Sequence, residues 1–330
     1  MSNLTLVREF ILMGFPADES LSILHSLLFS LIYSCSLMGN VLIIIIITWA
    51  QHLHTPMYFF LKNLSFLDLC MISVTVPKSI ANSVTQDHSI SFRGCATQVF
   101  FFILTVATEL HLLTVMSFDR YTAICRPLHY DLIMNRCLCV QMTAGSWLGG
   151  FLFGVMHTAS TFSFSFCGSN VIHQFFCDIP QLLAISCSKS FLRETVTILV
   201  GVVVGTFCFM FVVITYVYIF STVRNIPSSE GRSKAFSTCI PHLLVFVLFL
   251  SSAMFAYLKP TSESPSITNL VISVFYTMVG PTLNPVIYSL RNSTMKMAVG
   301  MLLGKCSSKW KSLLAANQLL SELKIIFHIL

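Results

Sequence analysis

Charge is scarce in this sequence: Asp, Glu, Lys and Arg make up only 10% of its 330 residues, where a soluble domain carries about a quarter. That scarcity excludes a water-soluble globule. The N-terminus also does not read as a cleaved signal peptide, because Arg8, Glu9, Asp18 and Glu19 interrupt it and the first long apolar run begins only near Ile23. That run reads as an uncleaved signal-anchor. No internal repeat stands out, and no nucleophile sits beside a base. Cys125, His129, Cys137 and Cys139 lack the paired spacing of zinc ligands and read as ordinary thiols. No metal site and no catalytic residues are expected. The net charge of +6 collects in particular loops and the tail, which points to membrane orientation rather than nucleic acid.

What the sequence has is hydrophobicity: 55% of its residues are hydrophobic, 29 of them Phe. Apolar stretches of about 20 residues recur along nearly the whole length and leave no room for a separate soluble domain. Seven spans are expected, at about 23–49, 57–76, 98–124, 140–164, 196–223, 235–258 and 267–290. The second should end at Pro77. The fold class is an all-α membrane protein, a seven-transmembrane helix bundle forming a single domain over 1–330. Residues 1–22 form the N-terminal segment, 23–290 the bundle and 291–330 the tail. Met295, Met297, Ala298, Met301 and Leu302, with Lys296 and Lys305, predict a short amphipathic helix after the seventh span.

Lys62, Arg120, Arg126, Arg136, Arg224, Arg232 and Lys234 share one face with the basic tail, and the other face is sparser in Lys and Arg. This bias predicts a multi-pass membrane protein with its C-terminus in the cytosol and its N-terminus outside. Asn3-Leu4-Thr5 is then a glycosylation acceptor on the outer side. The longest connection, about Ser165 to Thr195, carries Cys167, Cys177 and Cys187, and Cys95 lies at the outer end of the third span. Four cysteines allow three pairings, which the sequence leaves open. Cys306, just past the seventh span, is a palmitoylation candidate.

Three polar features interrupt the apolar spans. Asp119, Arg120 and Tyr121 stand where the third span leaves lipid; Arg120 can hold Asp119 in one arrangement and turn to a partner in another. Asp68 and Glu109 fall at one depth, about 15 Å from that face, with Asn40 and Asn284 able to approach the same layer. Two carboxylates there call for a sodium ion or a shared proton, or else a neutral hydrogen-bonded network. Pro285 removes a backbone donor within the seventh span and frees the Pro281 carbonyl, which Asn284 is expected to help satisfy. His111 and His157 read as isolated polar contacts. On these residues alone a transporter or channel using Asp68 and Glu109 as an ion site is one reading.

The stretches Glu9 to Phe15, Gly39-Asn40, Leu53 to Leu61, Met116 to Tyr130, Lys234 to Cys239 with His242, and Pro281 to Asn292 together resemble the olfactory (odorant) receptors, rhodopsin-like G-protein-coupled receptors. The resemblance implies a receptor that binds a small odorant in its helix bundle and couples to a stimulatory G protein to raise cyclic AMP. It implies a switch at Asp119, Arg120, Tyr121, Tyr216, His242, Asn284, Pro285 and Tyr288, with Tyr216 and Tyr288 stabilising the active form. It implies a mostly apolar ligand pocket of Phe102, Ile103, Val106, Ala107, Val200, Val204, Ala253, Tyr257 and Thr277, and disulfides Cys95 with Cys177 and Cys167 with Cys187. The chain departs from the family pattern at Phe249-Leu250-Ser251-Ser252, at Pro241 and at Lys62.

Overall fold

The computed structural model describes residues 7–13, 19–166, 169–187, 192–258 and 267–291, the side chains at 19–20, 256–258, 267–269 and 289–291 excepted. Asn3, Cys167, the Tyr257 side chain, Cys306 and the expected amphipathic helix lie outside the described residues. Among the described residues ten α-helices succeed one another: α1 Glu19–Trp49, α2 Pro56–Thr85, α3 Phe92–Cys125, α4 Tyr130–Ile133, α5 Arg136–Thr161, α6 Ile179–Ala184, α7 Leu192–Arg224, α8 Ser229–Leu258, α9 Ile267–Val274 and α10 Gly280–Arg291. Seven spans among them, the last made of α9 and α10 together, are long and apolar enough to cross a membrane. In lipid the backbone must bond to itself, so these apolar runs become helices whatever their local propensity.

That pressure also explains one difference from expectation. The second span continues through Pro77 to Thr85 instead of stopping at the proline. Prolines likewise lie inside α8 and α10, at Pro241 and Pro285. The starts of α3 and α5 are capped by side chains: Ser91 Oγ accepts from the Gly94 amide, and Asn135 Oδ1 accepts from the Leu138 amide.

One end of the bundle carries a small sheet that the expectation of an all-α chain did not include. Strand β1, Glu9–Leu12, lies between β2, Ser89–Ser91, antiparallel, and β3, Val171–Ile172, parallel. Phe10 and Leu12 alternate inward along β1 and are fully buried. This is the sheet end; the opposite one, bearing Asp119 to Tyr121, is the Arg120 end. Each has its own core. Ile43, Leu64, Leu112, Met116, Ile219 and Phe246 belong to the one at the Arg120 end, and Phe10, Ile72, Phe102, Ile172 and Phe176 to the one at the sheet end.

Two packing details shape the bundle interior. A Cβ on Gly150 would lie 1.9 Å from Thr108 Oγ1 and 2.6 Å from the Leu104 carbonyl, so α5 approaches α3 as closely as a missing side chain allows. Between α9 and α10, Phe275–Val279 form a π turn. The irregularity in the seventh span therefore begins at Phe275, nearly three turns before Pro285.

Candidate functional site

Below the sheet end lies a recess enclosing about 570 Å³ of empty space, its open mouth included, lined by Met71, Phe102, Val106, Glu109, Val245, Phe249, Ala253, Tyr276, Pro281 and Asn284 among others. Its walls are mostly apolar, and Glu109 and Asn284 supply polar groups. Three of the expected pocket residues, Phe102, Val106 and Ala253, line it. Ile103, Ala107, Val200, Val204 and Thr277 do not. Ile103 packs into the core at the sheet end, Val200 is 39% exposed on the outer face of α7, and Ala107 and Val204 are half-buried. Thr277 is fully buried, and its hydroxyl donates to the Ser273 carbonyl across the π turn. Met71, Val245 and Tyr276 were not expected in the lining; apolar side chains inside apolar spans carry no mark of which way they face.

The long loop packs against two of the lining residues, Phe102 and Tyr276. The Cys95–Cys177 disulfide ties that loop to the start of α3. Gln98 Oε1 accepts the Cys177 amide at 2.8 Å, and Gln98 Nε2 donates to the Val74 carbonyl at 2.9 Å. Next to this anchor, the Phe176 ring lies 5.4 Å from Phe102 and 5.8 Å from Tyr276. Cys187 is disulfide-bonded as well.

At the floor the recess meets the buried polar layer. Asn284 Nδ2 donates to both carboxylate oxygens of Asp68 at 3.1 Å. Asp68, Glu109 and Asn284 are each at most 4% exposed. The freed Pro281 carbonyl is satisfied from α1 and not by Asn284: Asn40 Nδ2 and Ser36 Oγ each donate to it at 2.9 Å. Gly39 makes this approach possible, since a Cβ there would sit 3.1 Å from the Pro285 ring. Asn284 is thus free to hold Asp68, and the two asparagines divide the work expected of one.

The Arg120 end holds two further polar clusters. Arg120, 7% exposed, donates through Nε and Nη2 to Asp119 Oδ2. Tyr130, in α4, donates to Asp119 Oδ1 at 2.7 Å. Burial, then the Asp119 carboxylate, push the Tyr130 hydroxyl well above the usual phenol range, so it remains a donor. Nothing in the residue order marks Tyr130 for this role, although it closes the stretch from Met116.

In the second cluster His242 bridges three helices. Its Nε2 lies 2.9 Å from the Leu113 carbonyl and its Nδ1 2.9 Å from the Tyr216 hydroxyl. A carbonyl only accepts, so Nε2 carries the proton and Nδ1 accepts from Tyr216. Tyr216 is thereby bonded to α8, and the Tyr288 hydroxyl is buried without a partner among the described residues. Tyr121 packs on Tyr218 with ring centroids 6.1 Å apart, and Cys125 Sγ lies 3.2 Å from Thr222 Oγ1.

Contrary to expectation, His157 is not isolated: its Nδ1 lies 3.6 Å from Oε1 of Glu194, a 2% exposed carboxylate on α7. Glu194 is inconspicuous in the sequence because it falls just at the start of an apolar run, where a charge reads as a boundary. Among the described residues no three His, Cys, Asp or Glu side chains form a metal cluster.

The olfactory receptor family model matches residues 29–305. The human olfactory receptor 14A16 is 66% identical over 94% of this chain and all of its own, and the human olfactory receptor 14L1 is 55% identical over 90% of this chain and 91% of its own. The crystal structure of squid rhodopsin superposes with a TM-score of 0.69 over 87% of this chain and 82% of that one, at 18% identity, so the fold is that of a seven-helix receptor. A match of this extent, on a bundle with this buried polar layer, means that the chain belongs to the olfactory receptor family, a family of membrane receptors and not of enzymes.

Proposed function

We propose that this protein is an odorant receptor in which a small, mostly apolar odorant fills the recess between Phe102, Glu109 and Asn284 and shifts the bundle toward a state that activates a stimulatory G protein and raises cyclic AMP. The observation that carries this reading is that Glu109, Pro281 and Asn284 line the recess and also belong to, or bond with, the buried polar layer. A ligand there touches the groups that fix α10 to α1 and α2. Mostly apolar walls favour a hydrophobic odorant, with few polar groups to orient it. In the proposed topology the sheet end faces outward and the Arg120 end faces the cytosol, where Arg120 leaves Asp119 for the G protein.

Asp68 and Glu109 suit a sodium ion or a shared proton. Both are buried, and Asn284 offers Asp68 only one amide to offset its charge. Either occupant favours the resting arrangement.

The test is a broad odorant screen in cells reporting cyclic AMP, with surface expression measured in parallel. The expected result is an evoked response that disappears with Arg120→Ala at unchanged surface level. An evoked current or uptake that needs no G protein would instead establish the transporter reading.

A further inference from the structure

The recess that Glu109 and Asn284 line carries charge of one sign only, since no Lys, Arg or His lies on its lining. Among the described residues the salt bridges join Arg120 to Asp119 and His157 to Glu194. Asp68 and Glu109 therefore have no basic side chain to balance them, although both are at most 4% exposed. A buried carboxylate without a counter-charge bears a desolvation cost that a bound cation offsets.

The hydrogen-bonding groups lean the same way. Asn284 Nδ2 is committed to Asp68, and the Ser252 hydroxyl donates to the Phe249 carbonyl at 2.8 Å. Asn284 Oδ1, by contrast, is buried without a hydrogen-bond partner among the described residues. A ligand in the recess thus meets two acceptors, that oxygen and the Glu109 carboxylate, and its polar end has to donate. A carboxylic acid, ionised at neutral pH, brings a second negative charge beside Glu109. Ketones, esters and ethers only accept. An alcohol donates one hydrogen and no charge, whereas a protonated amine donates two or three and supplies the missing cation. The rings of Phe102, Phe249 and Tyr276 hold a carbon body and tolerate a positive charge near them.

We propose that the recess selects a small protonated amine on a short alkyl body, its ammonium held by the Glu109 carboxylate and Asn284 Oδ1. This rests on the odorant reading for its site and names the class of odorant. Glu109 is the residue that sets the preference, because it is the only ionisable carboxylate on the lining.

The test compares isopentylamine, isopentanol and isovaleric acid, which share one carbon frame and differ at the polar end. Each is added to the full chain in lipid nanodiscs, in sodium-free buffer at neutral pH, and the melting temperature is read; the same three are applied to cells reporting cyclic AMP. The amine is expected to stabilise saturably at a concentration about thirtyfold or more below the alcohol, the least that losing one partner of a buried charge pair costs, with the acid inert. Glu109→Gln should erase that advantage, and Glu109→Asp should keep part of it. If Glu109→Gln does not fold, Ala253→Phe decides: it fills the recess from α8 and should abolish stabilisation by the amine. An alcohol or acid as potent as the amine, no stabilisation by any of the three, or an advantage that survives these variants overturns the proposal. A cyclic AMP response to neutral odorants without amine binding overturns it too but leaves the odorant reading standing, whereas amine binding with no cyclic AMP response to any odorant does the reverse.

Discussion

Tyr130 shows how one hydroxyl sets the state of the Arg120 end. Asp119 accepts from Arg120 on one oxygen and from Tyr130 on the other. Deleting the tyrosine hydroxyl leaves the carboxylate with less to fix it and lowers the cost of releasing Arg120. A hydrogen bond to a charged group contributes about 1.5–3 kcal/mol. Tyr130→Phe is therefore expected to shift the balance toward the released state by roughly tenfold or more, read as raised basal cyclic AMP per receptor at the surface, while Arg120→Ala abolishes the evoked signal. His242 plays the corresponding part for Tyr216. Its tautomer is dictated by the Leu113 carbonyl, so His242→Phe removes both bonds at once and should also raise basal signalling.

Between elements, the seam of α3 and α5 is tightly closed. Gly150 has no room for a methyl group against Thr108 and the Leu104 backbone, whereas Gly145 has nothing within 4 Å. Overpacking of this kind costs roughly 1–3 kcal/mol. Thermal melting in detergent should show Gly150→Ala clearly destabilised and Gly145→Ala unaffected. Between α5 and α7 the danger is loss rather than excess, because His157 stands there beside Glu194. Removing one partner of a buried pair leaves the other uncompensated, and replacing both by apolar residues often does not. His157→Leu alone should melt lower than His157→Leu/Glu194→Leu, and equal melting of the two would show that the pair does not interact.

For the molecule as a whole, the disulfide and the polar layer link its two ends. Cys95–Cys177 holds the loop whose Phe176 packs on Phe102 and Tyr276 in the wall of the deep recess. Cys177→Ser is expected to reduce surface expression and the evoked response together, as read by surface labelling and cyclic AMP in the same cells. The Asp68, Glu109 and Asn284 layer lies between that recess and the Arg120 end. Asp68→Asn with Glu109→Gln should remove the dependence of basal signalling on external sodium and pH. Unchanged dependence would leave the layer a hydrogen-bonded tie without an ion.

The seven spans, the membrane class and most of the polar residues that matter were legible in the order of residues, because lipid permits few structures and makes an embedded charge conspicuous. Sequence proximity also sufficed for the Asp119 and Arg120 pair, which are neighbours on one helix. What only the tertiary structure decided were pairings across helices: Asn284 with Asp68, Asn40 with the Pro281 carbonyl, His242 with Leu113 and Tyr216, and His157 with Glu194. It also decided which apolar side chains face the recess and which face lipid. Rotation of each helix about its axis settles those questions. In spans that are apolar on every side, hydrophobic pattern carries little record of that rotation, and packing against neighbouring helices supplies it.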